Sequence, residues 1–140
     1  MGLAWCLNVL GLGFGVALGL RALCDPHWAA RFVRLKPDEQ EGGFAEFRAT
    51  YGGVFAGSHG IALIMTVKYL LDGEAVIGLC ASGAGLALAL AWLGSAFGRG
   101  VSMWRDGTRT RFNLISAGVE VAAGFAVGSP WLVWYFSQPG

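Results

Sequence analysis

Charge is what this sequence has least of. Charged residues make up 14% of the 140-residue chain, against about 25% in ordinary soluble domains. Hydrophobic residues reach 55% and the mean hydropathy is +0.56, so composition excludes a freely water-soluble globule. The net charge of +1 supplies no global field for nucleic acid, which excludes that class of partner. Cysteine is scarce too. Cys6, Cys24 and Cys80 form no CxxC pair and no zinc spacing, so no metal site is expected. Cys6 and Cys80 fall near one membrane face in the topology below; a disulfide between them is geometrically open, though a free thiol is the commoner state. The chain lacks HExxH, GxSxG and GxxxxGK followed by Ser or Thr, so no cofactor and no catalytic residue is read from motifs.

What is present is glycine, 23 residues of it, lying mostly inside apolar runs. Glycine in a water-exposed helix costs about 1 kcal/mol relative to alanine. Between helices in lipid it lets backbones approach closely. A span needs about 20 mostly apolar residues to cross about 30 Å of hydrocarbon. Met1 to Leu20 and Ala75 to Gly98 carry no charged side chain; neither does Ala49 to Val67, His59 apart. From Phe112 onward there is one, Glu120. These runs predict a single domain over 1–140, an all-α integral membrane four-helix bundle with helices near 3–23, 44–70, 75–97 and 112–136. The first run has no positive leader and is longer than a signal-peptide core, so a retained helix is expected.

The basic residues set the expected topology. Arg21, Arg31, Arg34, Lys36 and Arg48 flank the first connection, and Arg99, Arg105, Arg109 and Arg111 the third. Only Lys68 lies at the second. Nine of the ten therefore share one side, which the positive-inside rule makes cytoplasmic. The expectation is a bacterial inner-membrane protein of two hairpins with cytoplasmic loops and both termini outside. Trp131, Trp134 and Tyr135 suit the outer interface.

Small residues mark the faces expected to pack. They are Gly11, Gly15 and Gly19; Gly53 and Gly57, with Gly52, Ala56 and Gly60 alongside; Ala81, Gly85 and Ala89; and Gly124 and Gly128. Such rows serve first for close packing within one chain; the sharper reading is that some of them make a homo-oligomer, meet a membrane partner protein or lodge a lipid.

Ionisable groups within spans are functional hypotheses because their burial is costly. Glu120 lies about 12 Å into the fourth helix at 1.5 Å per residue and calls for a cation. Arg48 is the natural partner and Arg99 the second candidate. At spacings of 3, 4, 7 and 11 after Arg48 come Tyr51, Gly52, Phe55 and His59, one helical face running toward mid-membrane. Arg48, Tyr51, His59, Arg99 and Glu120 form the expected polar cluster. Two readings stay open: an ion pair that fixes helix register, or a ligand or proton site in which His59 titrates in the useful range.

The connections carry their own signals. Asp25-Pro26 reads as a helix cap followed by proline at the first position. Trp28, Arg31, Phe32, Arg34 and Leu35 follow as a short interfacial helix ended by Pro37. Asp38, Glu39 and Glu41 form an acidic patch. In the third connection Asp106-Gly107 signals a turn. The arginines and Trp104 there suit an anionic headgroup surface, although topology alone also accounts for the arginines.

Arg48-Ala49-Thr50-Tyr51-Gly52-Gly53, Gly57, Gly98-Arg99, Ser102, Asp106-Gly107 and Glu120 together resemble a family of small bacterial membrane proteins, catalogued as domain of unknown function 4345. The resemblance covers roughly residues 44 to 128 and implies four membrane helices. It assigns no catalytic residue. A looser similarity to DoxX-type four-helix membrane proteins is one of architecture alone.

Three functions are consistent with the residues. The first is a non-enzymatic membrane module binding a lipid, a small hydrophobic ligand or a partner protein in the bundle. The second is a membrane-embedded enzyme on an apolar substrate, with Glu120 and His59 as acid and base. The third is a small proton-coupled transporter.

Overall fold

A computed structural model describes residues 2–37 and 44–138; the acidic patch of Asp38, Glu39 and Glu41 lies outside the described residues. The described chain is all-α. Helix α1 spans Gly2–Cys24, α2 Pro26–Val33, α3 Phe55–Asp72, α4 Ala75–Arg105 and α5 Arg111–Phe136. A π-helical stretch, Phe47–Val54, leads directly into α3. Helices α1, α4, α5 and the continuous Phe47–Asp72 segment are each long and apolar enough to cross a membrane, as in a multi-pass membrane protein.

The caps follow the local chemistry. Asp25 Oδ1 accepts the Trp28 N–H at 2.9 Å, and Pro26 opens α2. That helix stops at Val33, before Leu35 and Pro37, because Arg34 turns left-handed at φ 60°. Gly73, at φ 72°, makes the tight turn from α3 to α4, a conformation glycine adopts without cost. Thr110 Oγ1 caps α5 by accepting the Asn113 N–H at 3.2 Å. Helix α4 runs eight residues beyond the expected end at Phe97. Gly98 and Gly100 do not break it, because Arg99 and Ser102 between and after them are anchored to α5 and to the turn.

Two compact units make up the chain: Leu12–Ile64, and Met1–Gly11 with Met65–Gly140. In both, the usual soluble pattern is inverted. Most buried apolar positions are small, such as Ala4, Ala22, Ala62, Ala81 and Ala89, whereas Leu3, Ile64, Leu79 and Phe97 stand outward. Lipid is as apolar as leucine, so helices gain nothing by hiding leucine from it. They associate instead through close contact and interhelical hydrogen bonds.

In Leu12–Ile64 the contact is a ladder. A Cβ on Gly15 would strike the His59 ring, and one on Gly19 the Ala56 backbone. One on Gly52 would lie 2.7 Å from Leu23 Cγ. Of the expected row it is Gly52 and Ala56 that pack, not Gly53 and Gly57: among the described residues a Cβ on Gly57 would meet nothing within 4 Å, and one on Gly53 only its own Arg48 carbonyl at 3.7 Å. Gly52, Ala56 and His59, at spacings of 4 and 3, are the positions that meet α1. At the other end of this unit Ala22, Ala29, Ala30 and Phe47 form a core covered by Trp28, Val33, Phe44 and Tyr51.

In the other unit Ala81, Gly85 and Ala89 are buried along α4, with Gly124 and Gly128 buried on α5. Cβ atoms on Gly124 and Gly128 would lie 2.8 Å from Leu93 and 2.9 Å from Ala89. Gly11 is as tight, 2.7 Å from Val127 Cγ2. Pro130 withdraws the N–H that Ala126 O would accept. The Ser129 hydroxyl lies 2.7 Å from that oxygen and 2.7 Å from Ala4 O. One turn away, Asn8 Nδ2 donates to Val127 O at 2.6 Å while Asn8 Oδ1 accepts from Thr66 at 2.9 Å. Asn8 therefore joins α1, α3 and α5 at a buried point, and neighbouring side chains satisfy the carbonyls around the proline, as lipid requires.

Candidate functional site

Glu120 sits on the buried face of α5, one turn before Gly124. Its carboxylate is held by Arg99 of α4: Nη2 donates to Oε1 at 2.6 Å and Nε to Oε2 at 3.0 Å. Ser95, one turn before Arg99, adds a third donor to Oε1 at 2.9 Å. This is the two-pronged geometry in which arginine binds carboxylates best. The other arm of the guanidinium, Nη1, donates to Asn113 Oδ1 at 3.3 Å. Asn113 Nδ2 in turn donates to Thr108 O at 2.7 Å, and the Thr108 and Ser102 hydroxyls meet at 3.0 Å. The glutamate side chain is 9% exposed and the arginine 29%, so the pair is closed at the carboxylate and opens at the guanidinium.

Of the two cations expected to reach Glu120, the second has it. Arg48 instead donates Nε to Leu23 O at 3.1 Å, covering a carbonyl at the C-terminal end of α1 that the helix cannot satisfy itself. Tyr51 stacks on Phe47 at 5.9 Å. His59 is buried against Gly15, its ring stacked on Phe55 at 5.1 Å. Nδ1 lies 3.0 Å from Phe55 O, which assigns the proton to Nδ1 as donor. Arg48, Tyr51 and His59 thus belong to Leu12–Ile64, and Arg99 with Glu120 to the other unit.

Comparison with family models, curated proteins and solved structures gives no match to this chain. Function therefore has to be argued from side chains alone.

Residues that sequence reasoning passed over carry much of the geometry: Ser95, Asn113 and Thr108 around Arg99, and Asn8, Thr66 and Ser129 in the spans. The signal for Asn8 was available. A side-chain amide in an uncharged apolar run is expensive to bury without a partner, the same logic that singled out Glu120. Ser95 and Thr66 have no such signal, since a hydroxyl can satisfy itself on its own helix. All three cysteines are free and exposed. Among the described residues no three His, Cys, Asp or Glu side chains gather. Chemically, the Arg99–Glu120 pair is a net-neutral clamp between α4 and α5 with both carboxylate oxygens hydrogen-bonded.

Proposed function

We propose that the chain is a non-enzymatic module of the bacterial inner membrane, with both basic connections cytoplasmic and both termini outside. Its role is to hold a lipid, a small hydrophobic ligand or a partner protein among its helices. The observation that carries this reading is the occupancy of Glu120. An acid–base catalyst must present its carboxyl to a substrate atom within hydrogen-bond reach. Here both oxygens face donors of the protein itself. His59 is buried, with Nδ1 on the Phe55 carbonyl and its ring packed against Gly15 and Phe55. The same occupancy weighs against Glu120 as a proton carrier. The resemblance to the domain of unknown function 4345 family belongs to this proposal and names no ligand.

Native mass spectrometry of the protein purified in mild detergent is the test. A defined lipid, small molecule or partner chain retained at fixed stoichiometry is expected, by wild type and by Glu120→Gln alike. A stripped chain that binds nothing overturns the reading. So does proton flux into liposomes that wild type supports and Glu120→Gln abolishes, which would make the transporter the answer.

A further inference from the structure

We propose that the turn joining α4 and α5 is a binding site for the phosphate headgroups of anionic phospholipids, held by Arg105, Arg109 and Arg111 beside Trp104. This goes beyond the role assigned to the helix interior and rests only on the spans.

Length places the turn. Helix α4 has 31 residues, about 46 Å at 1.5 Å per residue. The hydrocarbon takes about 30 Å and the bilayer with headgroups about 40–45 Å. A span begun at Ala75 has crossed the hydrocarbon near Gly94, so Arg99 and everything after it in the turn stand in the headgroup layer.

Charge then selects the occupant. Arg99 is committed to Glu120, but Arg105, Arg109 and Arg111 are exposed and in no ion pair among the described residues. Asp106 is the one acid between Arg99 and Arg111. The guanidinium fork fits phosphate with two parallel hydrogen bonds and is weakly hydrated, which suits a headgroup bed. Trp104 supplies the independent sign of lipid. At 83% it is more exposed than any other large apolar side chain described. An indole so placed beside arginines is costly in water and favourable at a bilayer interface, where tryptophan is enriched.

The turn is also braced by hydrogen bonds. Gly107 takes φ 67°. Thr108 is held by the Ser102 hydroxyl and by Asn113, and the Thr110 N–H donates to Thr108 O at 2.8 Å. The three arginines are therefore presented from a hydrogen-bonded backbone, and binding orders their side chains more than the chain. Topology alone would place arginines on this side, but a purely topological signal has no lipid preference once the protein is inserted.

That difference is measurable. The full chain is reconstituted in nanodiscs of equal parts phosphatidylcholine and phosphatidylglycerol, and the retained lipids are counted by native mass spectrometry. Wild type is expected to enrich phosphatidylglycerol. R105Q/R109Q/R111Q should lose that enrichment by about five-fold per arginine, while the triple lysine variant, which keeps the charge but not the fork, retains only part of it. Brominated phosphatidylglycerol should quench the fluorescence that W104F removes more strongly than brominated phosphatidylcholine does. The proposal is overturned if wild type takes both lipids in their bulk ratio, or if the glutamine triple enriches phosphatidylglycerol as wild type does. It is equally overturned if R21Q/R31Q, at the α1–α2 corner, abolishes the preference while the triple leaves it intact.

Discussion

At the scale of single residues, stability here depends on polar atoms that lipid cannot solvate. Removing Arg99 while leaving Glu120 exposes this most directly. Breaking a buried ion pair from one side costs about 3–5 kcal/mol. Arg99 keeps some contact with the surroundings, so Arg99→Met should cost less, about 2–3 kcal/mol on the same scale. Arg99→Met/Glu120→Leu should regain most of the loss, since no charge then lacks a partner. Unfolding in mixed micelles of rising SDS fraction reads both; a double variant no better than Arg99→Met would show that the pair is not the clamp described. Asn8 makes a second case. Asn8→Ala leaves the Val127 carbonyl short of a donor and should cost about 1–2 kcal/mol, in the range of interhelical hydrogen bonds in membranes. Thr66→Val added to Asn8→Ala should cost almost nothing more, because the Thr66 hydroxyl has already lost its acceptor. Additive losses in that cycle would mean the two side chains act independently.

At the scale of elements, two rows of glycine that look alike in sequence behave differently. Gly19→Leu drives a side chain into the Ala56 backbone, and α1 and α3 must part to admit it. Gly57→Leu extends into open space and should stay within about 0.5 kcal/mol of wild type. The same SDS titration should show a large loss for the first and little for the second; equal losses would mean that Gly57 also faces a packed neighbour. This contrast also marks how far the sequence could be read. All four spans were legible because burying charge in hydrocarbon is so costly that its absence over 20 residues has one explanation. The packed rows on α1, α4 and α5 were legible from four-residue spacing. The row on the second span was half legible: Gly52 and Ala56 were named beside Gly53 and Gly57, but spacing alone does not say which of two adjacent small-residue rows meets α1. The end of α4 was missed because glycine and arginine usually announce an end. Here Glu120, 21 residues further on, holds Arg99 in helix. The site was half legible for the same reason: a buried acid announces its need for a cation but not which of two arginines will reach it.

At the scale of the whole molecule, the proposed orientation is set by where arginines lie relative to the spans, and it can be tested with the chain's own chemistry. Cys6, Cys24 and Cys80 are free and in no disulfide, so replacing all three with alanine removes the background without removing a cross-link. Single cysteines can then be placed at Glu74 between α3 and α4, at Thr108 between α4 and α5, and at Ser137 after α5. With the basic connections in the cytoplasm, a membrane-impermeant maleimide added to intact cells should label Glu74→Cys and Ser137→Cys. It should reach Thr108→Cys only after permeabilisation. The mirror-image pattern would reverse the orientation while keeping the spans. Labelling of Thr108→Cys and Ser137→Cys from the same side would be more serious. Helix α5, with its 26 residues, would then not cross the membrane, and Glu120 would have no hydrocarbon around it to make Arg99 necessary.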